Sequence, residues 1–201
     1  MTPLGRPFFA RPVLEVAQDL LGARVQVGDV RVRVTETEAY AGLTDPASRV
    51  LSRPSRHNAP VFGPAGHAFV YFTYGHHWML CVVTGEEDVP EVVLLRAGEV
   101  ELGHATVAAR RAGVRERDWC RGPGRLTRAL GVTGELSGAD LCAPGAPVRL
   151  GGAEAAVRGP VRTGPRVGVR GPGGDGAAYP WRFWLEGEPT VSAYRPAAPR
   201  R

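Results

Sequence analysis

Residues 30–40 read VRVRVTETEAY, and they alternate apolar and polar positions in the manner of a β-strand. The three valines point to one side of this predicted strand, and the two arginines between them point to the other. Continued along the chain, the alternation places Glu36, Glu38 and Tyr40 on the side of the valines. Burying a carboxylate costs several kcal/mol unless it is paired, hydrogen-bonded or protonated. The pattern therefore predicts either a functional carboxylate pair or a strand that turns toward solvent after Val34.

A second strand pattern, EVVLLRA (residues 91–97), carries an arginine near the end of an apolar face. Arg96 shares that face with Val92 and Leu94, so its guanidinium needs a partner of negative charge. We expect it to pair with a glutamate of the neighbouring strand. Such a pair is open to two interpretations: it is structural, or it holds a carboxylate ionised and directed at a water molecule, as a general base requires.

The stretch FVYFTYGHHW (residues 69–78) holds five of the fifteen aromatic residues of the chain and two of its five histidines. One interpretation is a core strand, because aromatic side chains suit a pleated, half-buried surface. The other is a surface that stacks on nucleobases, as proteins that bind nucleic acids use. The composition of the stretch leaves both interpretations open.

The length of 201 residues allows one sizeable core and requires no second domain. The three cysteines are widely spaced and form no C-x-x-C motif, which argues against a disulfide framework or a zinc ribbon and fits a reducing cytoplasm. The first residues lack the pattern of a signal peptide, and no run approaches the roughly 20 apolar residues that span a bilayer. We therefore expect a cytoplasmic protein that does not contact a membrane.

The charge of the chain favours an anionic partner. The formal net charge is +5 and the pI is near 9.6, as is common in proteins that bind polyanions. All 25 basic residues are arginine, and no lysine occurs anywhere in the sequence. The protein therefore cannot form a lysine Schiff base, and it cannot carry a P-loop lysine.

The remaining patterns predict short elements without a repeat or a linker that would divide domains. Residues 41–66 are predicted to form a long ordered loop, and residues 158–180 are predicted to be loops. Helical patterns cover residues 11–21, residues 102–112 and a short helix that starts at Pro123 and ends at Gly131; further strand patterns cover residues 68–74, 79–84, 146–150, 166–169 and 181–187.

Several motifs together give the chain a resemblance to a known family. They come in the family's order and span nearly the whole sequence: TETEAYAGLTDPAS (35–48), GHAFVYFTYGHHW (66–78), VVLLRAGE (92–99), GPGRLTRALG (122–131), RVGVRG (166–171) and WRFWLEGEPTVS (181–192). The sequence thus resembles the alkyladenine (3-methyladenine) DNA glycosylases of the mammalian type. The combination of E-T-E-A-Y, V-Y-x-x-Y-G and L-L-R-A is specific, whereas any one of them alone is weak.

The resemblance implies an α+β fold and a DNA-repair enzyme. Its expected fold is a single mixed domain (residues 1–201, with 196–201 as a flexible tail), in which helices flank a curved, mostly antiparallel β-sheet and a β-turn protrudes to meet DNA. The enzyme is expected to flip an alkylated or deaminated purine out of double-stranded DNA, where the stacked base is inaccessible, and to hydrolyse its N-glycosidic bond. The enzyme would act as a monomer without metal or cofactor.

The resemblance also implies roles for residues of the site. Glu38, the second glutamate of ETEAY, would be the general base that activates water. Arg96 would help to hold that water, together with the backbone carbonyl of Val167. Tyr40 and Tyr71 would sandwich the flipped base.

Contacts with the DNA backbone and grooves follow from the same resemblance. Tyr74 would enter the minor groove and fill the gap in the base stack, and Arg125 in GPGR would meet the phosphate backbone. His76 and His77 are adjacent, so we expect their side chains to diverge, which disfavours a metal site and leaves one of them for phosphate or groove contact. Three aromatic residues of the same stretch are predicted to be core: Phe69, Phe72 and Trp78.

Two positions depart from the family pattern, and both would lie in the base pocket. Arg49 stands where the family commonly has histidine, and its permanent charge would face a cationic lesion. Cys81 stands where the family commonly has asparagine, and cysteine is smaller and a weaker hydrogen-bond partner. We therefore expect altered lesion selectivity. The absence of lysine is consistent with a monofunctional enzyme that leaves an abasic site and does not nick the strand.

Two other functions remain open at this point. One is a carbohydrate glycosidase that uses Glu36 and Glu38. This function is disfavoured because both glutamates lie on one strand, where they are poorly placed to flank a glycosidic bond. The other is a nucleic-acid-binding module without chemistry, in which the basic charge and the aromatic residues are the whole function.

Overall fold

The computed structural model describes residues 1–48, 54–73, 75–153 and 159–197. This part of the chain forms eight β-strands and four short α-helices, joined by loops with 3₁₀ turns. The helices are α1 (Arg6–Phe9), α2 (Val13–Asp19), α3 (His104–Arg110) and α4 (Pro123–Leu130); the strands are β1 (Arg24–Val27), β2 (Val30–Ala41), β3 (Ala68–Thr73), β4 (His77–Thr84), β5 (Glu91–Leu102), β6 (Val148–Gly151), β7 (Val161–Gly164) and β8 (Arg182–Leu185).

All eight strands belong to one sheet, and every strand pairing within the described residues is antiparallel. The order along the sheet is β3-β4-β5-β2-β1-β6. Strand β2 lies at the centre because its first half pairs with β1 and its second half pairs with β8, which in turn pairs with β7. The expectation of an α+β fold with a mostly antiparallel sheet is confirmed.

Of the three register shifts in the pairing of β2 with β5, two lie next to each other near the middle of the strands. Between Val34 and Thr37 each strand has one residue outside the regular register, Thr35 in β2 and Arg96 in β5. An extra residue in a strand exchanges the faces to which the following side chains point. The bulges therefore change which residues of β2 share a face.

The glutamates lie on the face opposite to the valines. Beyond the bulge, the valine face continues with Thr37, whose hydroxyl bonds to α2, and with Ala39, which joins the main core. Tyr40 packs instead against a second apolar cluster on the other face. The expectation that the glutamates share the valine face is wrong, because the extra residue at Thr35 reverses the alternation.

The main core lies between the sheet and helices α2 and α4. Buried side chains of these helices pack on the first half of β2 and on its neighbours: Val13, Val16, Ala17, Leu126, Ala129 and Leu130. Helix α4 starts at Pro123 and is capped by Gly131 in the left-handed conformation (φ +75°), as predicted. Among the described residues, every helix is too short or too polar to cross a membrane.

Other expected elements differ from the structure. Residues 166–169 form a turn around Gly168 (φ +72°) and not a strand; the strand of this region is β7, within the predicted loops. Strand β1 and helix α1 were not predicted. Phe72 was predicted to be core, but its side chain is 51% exposed, because it lies on the free end of an edge strand. Of the expected flexible tail, residues 198–201 lie outside the described residues.

Candidate active site

A row of side chains crosses five strands on the face opposite to helices α2 and α4. The paired positions run from Phe69 to Cys81, Leu94, Glu38 and Arg182. Paired residues on antiparallel strands point to the same side, so this row is contiguous. The sheet thereby places a carboxylate beside an apolar cluster at one end and a guanidinium at the other.

Glu38 is fully buried and held at both oxygens. Its Oε1 accepts a hydrogen bond from the backbone N–H of Val167 at 2.7 Å. Its Oε2 accepts one from the Tyr40 hydroxyl at 2.9 Å and lies 3.1 Å from the Nη1 of Arg96. A buried carboxylate with these partners is fixed in orientation. The structure thus brings four of the predicted site residues into one contact group.

Glu36 is also fully buried, and two of its partners, Arg182 and Ser192, were not predicted. Its Oε1 accepts from the Nε of Arg96 at 2.9 Å, from the Nε of Arg182 at 2.7 Å and from the hydroxyl of Ser192 at 2.9 Å. Burial raises the pKa of Glu36, but Arg96 and Arg182 outweigh it, so the pKa lies below its ordinary value. The two carboxylates and two guanidiniums balance in charge, which makes their burial tolerable.

Arg96 links the two glutamates. Burial lowers the pKa of its guanidinium, yet the charges of Glu38 and Glu36 outweigh burial, and the net pKa is raised. Arg96 therefore stays charged. The expected pair between Arg96 and a glutamate of the neighbouring strand is confirmed, and it includes both glutamates.

Arg166 braces the ring of Tyr40. Its guanidinium lies 4.7 Å from the centre of that ring and makes two bonds to the carboxylate of Asp45, at 2.5 and 2.7 Å. Arg166 is only 1% exposed, and it also donates to the backbone carbonyl of Ala39. Burial, followed by the charge of Glu38, holds the pKa of Tyr40 well above its usual value, so the hydroxyl remains a donor.

The predicted site residues line two cavities. The larger, which we name the aromatic cavity, has a volume of about 570 Å³, and the smaller, the arginine-lined cavity, has about 300 Å³. Glu38 contacts residues of both. The aromatic cavity is lined by residues that include Tyr40, Phe69, Tyr71, Phe72, Cys81 and Val92; the arginine-lined cavity is lined by residues that include His77, Arg96, Arg121, Arg125, Val167 and Arg195.

Within the aromatic cavity, Tyr71 stacks on Phe69 with 5.2 Å between ring centres. Cys81 is 2% exposed, and burial, with a smaller contribution from Glu38, raises the pKa of its thiol, so the thiol stays protonated. Arg49 and Tyr74, the other predicted contacts, lie outside the described residues.

His76 and His77 do not diverge, contrary to expectation. Their rings lie 3.9 Å apart between centres. The ring of His77 rests against the first turn of α4, where a Cβ on Gly124 would come within 2.6 Å of its Cγ. The His77 ring therefore lies between α4 and the ring of His76. Among the described residues, no group of three or more His, Cys, Asp or Glu side chains is placed to hold a metal ion.

Four supporting residues were missed by sequence reasoning: Asp45, Arg166, Arg182 and Ser192. A signal existed for two of them, because Arg166 and Arg182 are charged residues within short apolar stretches, as Arg96 is. Their partners are distant in sequence, so the pairing itself had no local signature.

Comparison with known proteins identifies the family of the chain. The sequence pattern of the family described as Methylpurine-DNA glycosylase (MPG) matches residues 7–189. Proteins provisionally named 3-methyladenine DNA glycosylase are similar over nearly the whole chain. One from Frankia casuarinae is 50% identical (99% of this chain, 95% of the relative), one from Streptomyces avermitilis 47% (100% and 95%) and one from Burkholderia lata 40% (94% and 90%). The chain therefore belongs to the methylpurine-DNA glycosylase family and is a DNA-repair hydrolase of the DNA glycosylase class.

Proposed function

We propose that this glycosylase flips an alkylated or deaminated purine from duplex DNA into the aromatic cavity and hydrolyses its N-glycosidic bond with a water activated by Glu38. The observation that carries the proposal is the position of Glu38. Its carboxylate is buried, fixed at both oxygens and in contact with the walls of both cavities. A general base must lie within hydrogen-bond reach of the attacking water, and the contacts of Glu38 with residues that line each cavity support this role.

Arg96 and Val167 complete the catalytic group in this proposal. Arg96 supplies positive charge beside the Glu38 carboxylate, and the N–H of Val167 fixes the other oxygen. The backbone carbonyl of Val167 then helps to position the water. The Glu38 carboxylate supports the oxocarbenium-like charge that develops on the sugar as the base departs.

Tyr40 and Tyr71 bind the base in the aromatic cavity. Arg166 holds the ring of Tyr40 in place, and Phe69 supports the ring of Tyr71. A volume of about 570 Å³ is in the range of pockets that enclose a small planar ligand. Cys81 and Arg49 act in the choice of lesion. Tyr74 fills the gap left in the duplex, and the backbone phosphates are met by His76, His77 and Arg125.

The carbohydrate glycosidase alternative requires a second carboxylate that acts as a general acid, and Glu36 does not suit that role. Glu36 is bound by Arg96, Arg182 and Ser192, and its lowered pKa is the opposite of what a general acid needs. A binding module without chemistry is disfavoured by the family to which the chain belongs.

The proposal further takes residues 1–201 as one glycosylase domain that acts as a monomer in the cytoplasm and associates with the nucleoid on DNA. The single sheet, which includes strands from both ends of the chain, supports one domain. The reaction is monofunctional, since no lysine is present to form a Schiff base. The molar mass measured by light scattering, with and without duplex DNA, tests whether the protein is a monomer.

The decisive experiment is a glycosylase assay on duplexes that each contain one lesion: 3-methyladenine, 7-methylguanine, hypoxanthine or 1,N6-ethenoadenine. We expect wild type to produce abasic sites without strand cleavage. Glu38→Gln keeps the size of the side chain but removes the base, so excision should fall by at least about 10²-fold while binding to an abasic duplex persists. Excision by Glu38→Gln at the wild-type rate would refute the assignment.

A further inference from the structure

The arginine-lined cavity has the character of an anion site. Four arginines and His77 line it, and no aspartate or glutamate is among its described lining residues. Arg96 is balanced by the two buried glutamates. Arg125 and Arg195 form no ion pair within the described part of the chain, so their charge remains available to a ligand.

The first turn of α4 adds to this character. Residues 122–124 line the cavity, and α4 has no side-chain cap at its N-terminus. The positive end of the helix dipole favours a negative group, as do the arginines around it. The cavity thus combines two independent sources of positive potential.

His77 forms a wall of this cavity and is fixed there. Its ring packs on Gly124, where any side chain larger than hydrogen would collide with it. The hydroxyl of Thr127 on α4 also donates to the carbonyl of Trp78, which ties the helix to the strand next to His77. The imidazole is therefore held at the cavity by its packing against α4.

We propose that His77 is a proton-coupled ligand for DNA phosphate: a backbone phosphodiester enters the arginine-lined cavity, and the imidazole takes up a proton as it binds. The inference rests on the proposed function to the extent that duplex DNA supplies the phosphate. It adds a consequence that the reaction itself does not require, namely a pH dependence of DNA affinity.

The charges around His77 explain the coupling. Burial lowers the pKa of His77 below its ordinary value of 6.5, as do His76 in the preceding turn, Arg111 after α3, and Arg125 and Arg128 on α4. Across the cavity lie further cations: Arg96, Arg121 and Arg195. Without DNA the imidazole is therefore mostly neutral near pH 7. A phosphate compensates the surrounding cations, and the pKa of His77 then rises.

The sign of the effect follows from linkage. Because the pKa is higher in the complex than in the free protein, binding takes up a proton in the interval between the two values. Affinity is highest below the pKa of the free protein, falls as pH rises through the interval, and levels off above the pKa of the complex.

The test uses a duplex that contains a tetrahydrofuran abasic site, which binds but cannot be cleaved, so glycosylase chemistry does not enter. Calorimetry near pH 7 in buffers of different ionisation enthalpy measures the protons taken up. Wild type is expected to take up a substantial fraction of one proton, and its affinity is expected to fall about tenfold from about pH 6 to about pH 8. In His77→Gln the affinity should change by less than about twofold over the same pH range, and the proton uptake should be largely lost. The matched control is His104→Gln, because His104 lies on α3 and contacts Glu116. This variant should behave as wild type.

Three outcomes overturn the proposal: no proton uptake by wild type, equal uptake by His77→Gln, or loss of uptake in His76→Gln with His77→Gln unaffected. NMR titration of the His77 ring in wild type, with and without the duplex, gives the same answer without a variant; the pKa must rise in the complex. Inactive protein that still shows this uptake would refute the glycosylase mechanism and leave the phosphate site intact.

Discussion

Arg96 and Glu38 face each other across neighbouring strands, with the Nη1 of the guanidinium 3.1 Å from the Oε2 of the carboxylate. The Nε of the same guanidinium donates to Glu36 at 2.9 Å. One cation thus spans two fully buried carboxylates. The stability of the fold and the position of the proposed general base therefore depend on the same ion cluster.

Replacing Arg96 should destabilise the protein. Arg96→Met leaves Glu38 without a cationic partner, and we expect the free energy of unfolding to fall by about 3–5 kcal/mol. The stability of Arg96→Lys should lie between those of wild type and Arg96→Met, because a single ammonium cannot span both carboxylates. Urea denaturation of both variants beside wild type measures this; a loss below about 1 kcal/mol in Arg96→Met would mean that the cluster is not coupled.

Acid should weaken the fold through Glu36. Its pKa is below the ordinary 4.5, because Arg96 and Arg182 together outweigh the effect of burial. The ionised carboxylate therefore stabilises the fold above about pH 4.5, and this contribution is lost as pH falls through the pKa of the folded protein. We expect Glu36→Gln to be less stable than wild type near pH 7 and to lose less stability below about pH 4.5. The exposed Glu186→Gln is the control and should retain the wild-type slope.

Asp45 should matter for stability although it is distant in sequence from its partner. Asp45→Asn removes the charge that balances buried Arg166, and we expect a loss of about 3–5 kcal/mol together with weaker base binding, because Arg166 braces Tyr40. Asp19→Asn removes a half-exposed partner of Arg11 and should cost less than about 1 kcal/mol. Equal effects of the two variants in thermal denaturation would contradict the bracing role.

Gly98 should tolerate no side chain. A Cβ there would lie 2.3 Å from Val32 and 2.5 Å from the backbone oxygen of Arg33, beside the paired bulges. Gly98→Ala is expected to cost about 1–3 kcal/mol and to lower excision further, because strand β5 must shift and Arg96 shifts with it. At Gly152 the new Cβ would meet only Leu4 at 3.8 Å, so Gly152→Ala serves as the control in the same unfolding and activity assays.

Lesion choice should respond to Cys81. The buried thiol is a weak hydrogen-bond partner, and Cys81→Asn would add a larger polar group to the aromatic cavity. We expect this change to slow excision of guanine-type lesions relative to adenine-type ones. Combined with Arg49→His, it should also raise activity on cationic 3-methyladenine. Relative excision rates test both, and an unchanged lesion profile in the double variant would refute the prediction.

Much of the fold was predictable because its signals are local. Pro123 and Gly131 mark the ends of α4 by their backbone preferences, and the alternation in residues 30–40 marks β2. The pairing of Arg96 with a glutamate also followed from local chemistry, since no isolated charge is stable on an apolar face.

The face of the glutamates was not predictable in the same way. The alternation in VRVRVTETEAY continues without a break, whereas the bulge at Thr35 arises only where β2 meets β5. Phe72 is exposed because β3 is an edge strand, which depends on the order of strands in the sheet.

The sequence by itself therefore determined the elements, the family motifs and the residue types of the site, because these depend on neighbours along the chain. Only the tertiary structure decided which face carries Glu36 and Glu38, that Arg182 and Ser192 bind Glu36, and that Arg166 packs on Tyr40 beside Glu38. Those partners come from segments about 130 to 155 residues away along the chain. Their pairing is selected by the cost of leaving a buried charge unpaired, and that cost exists only once the sheet has formed.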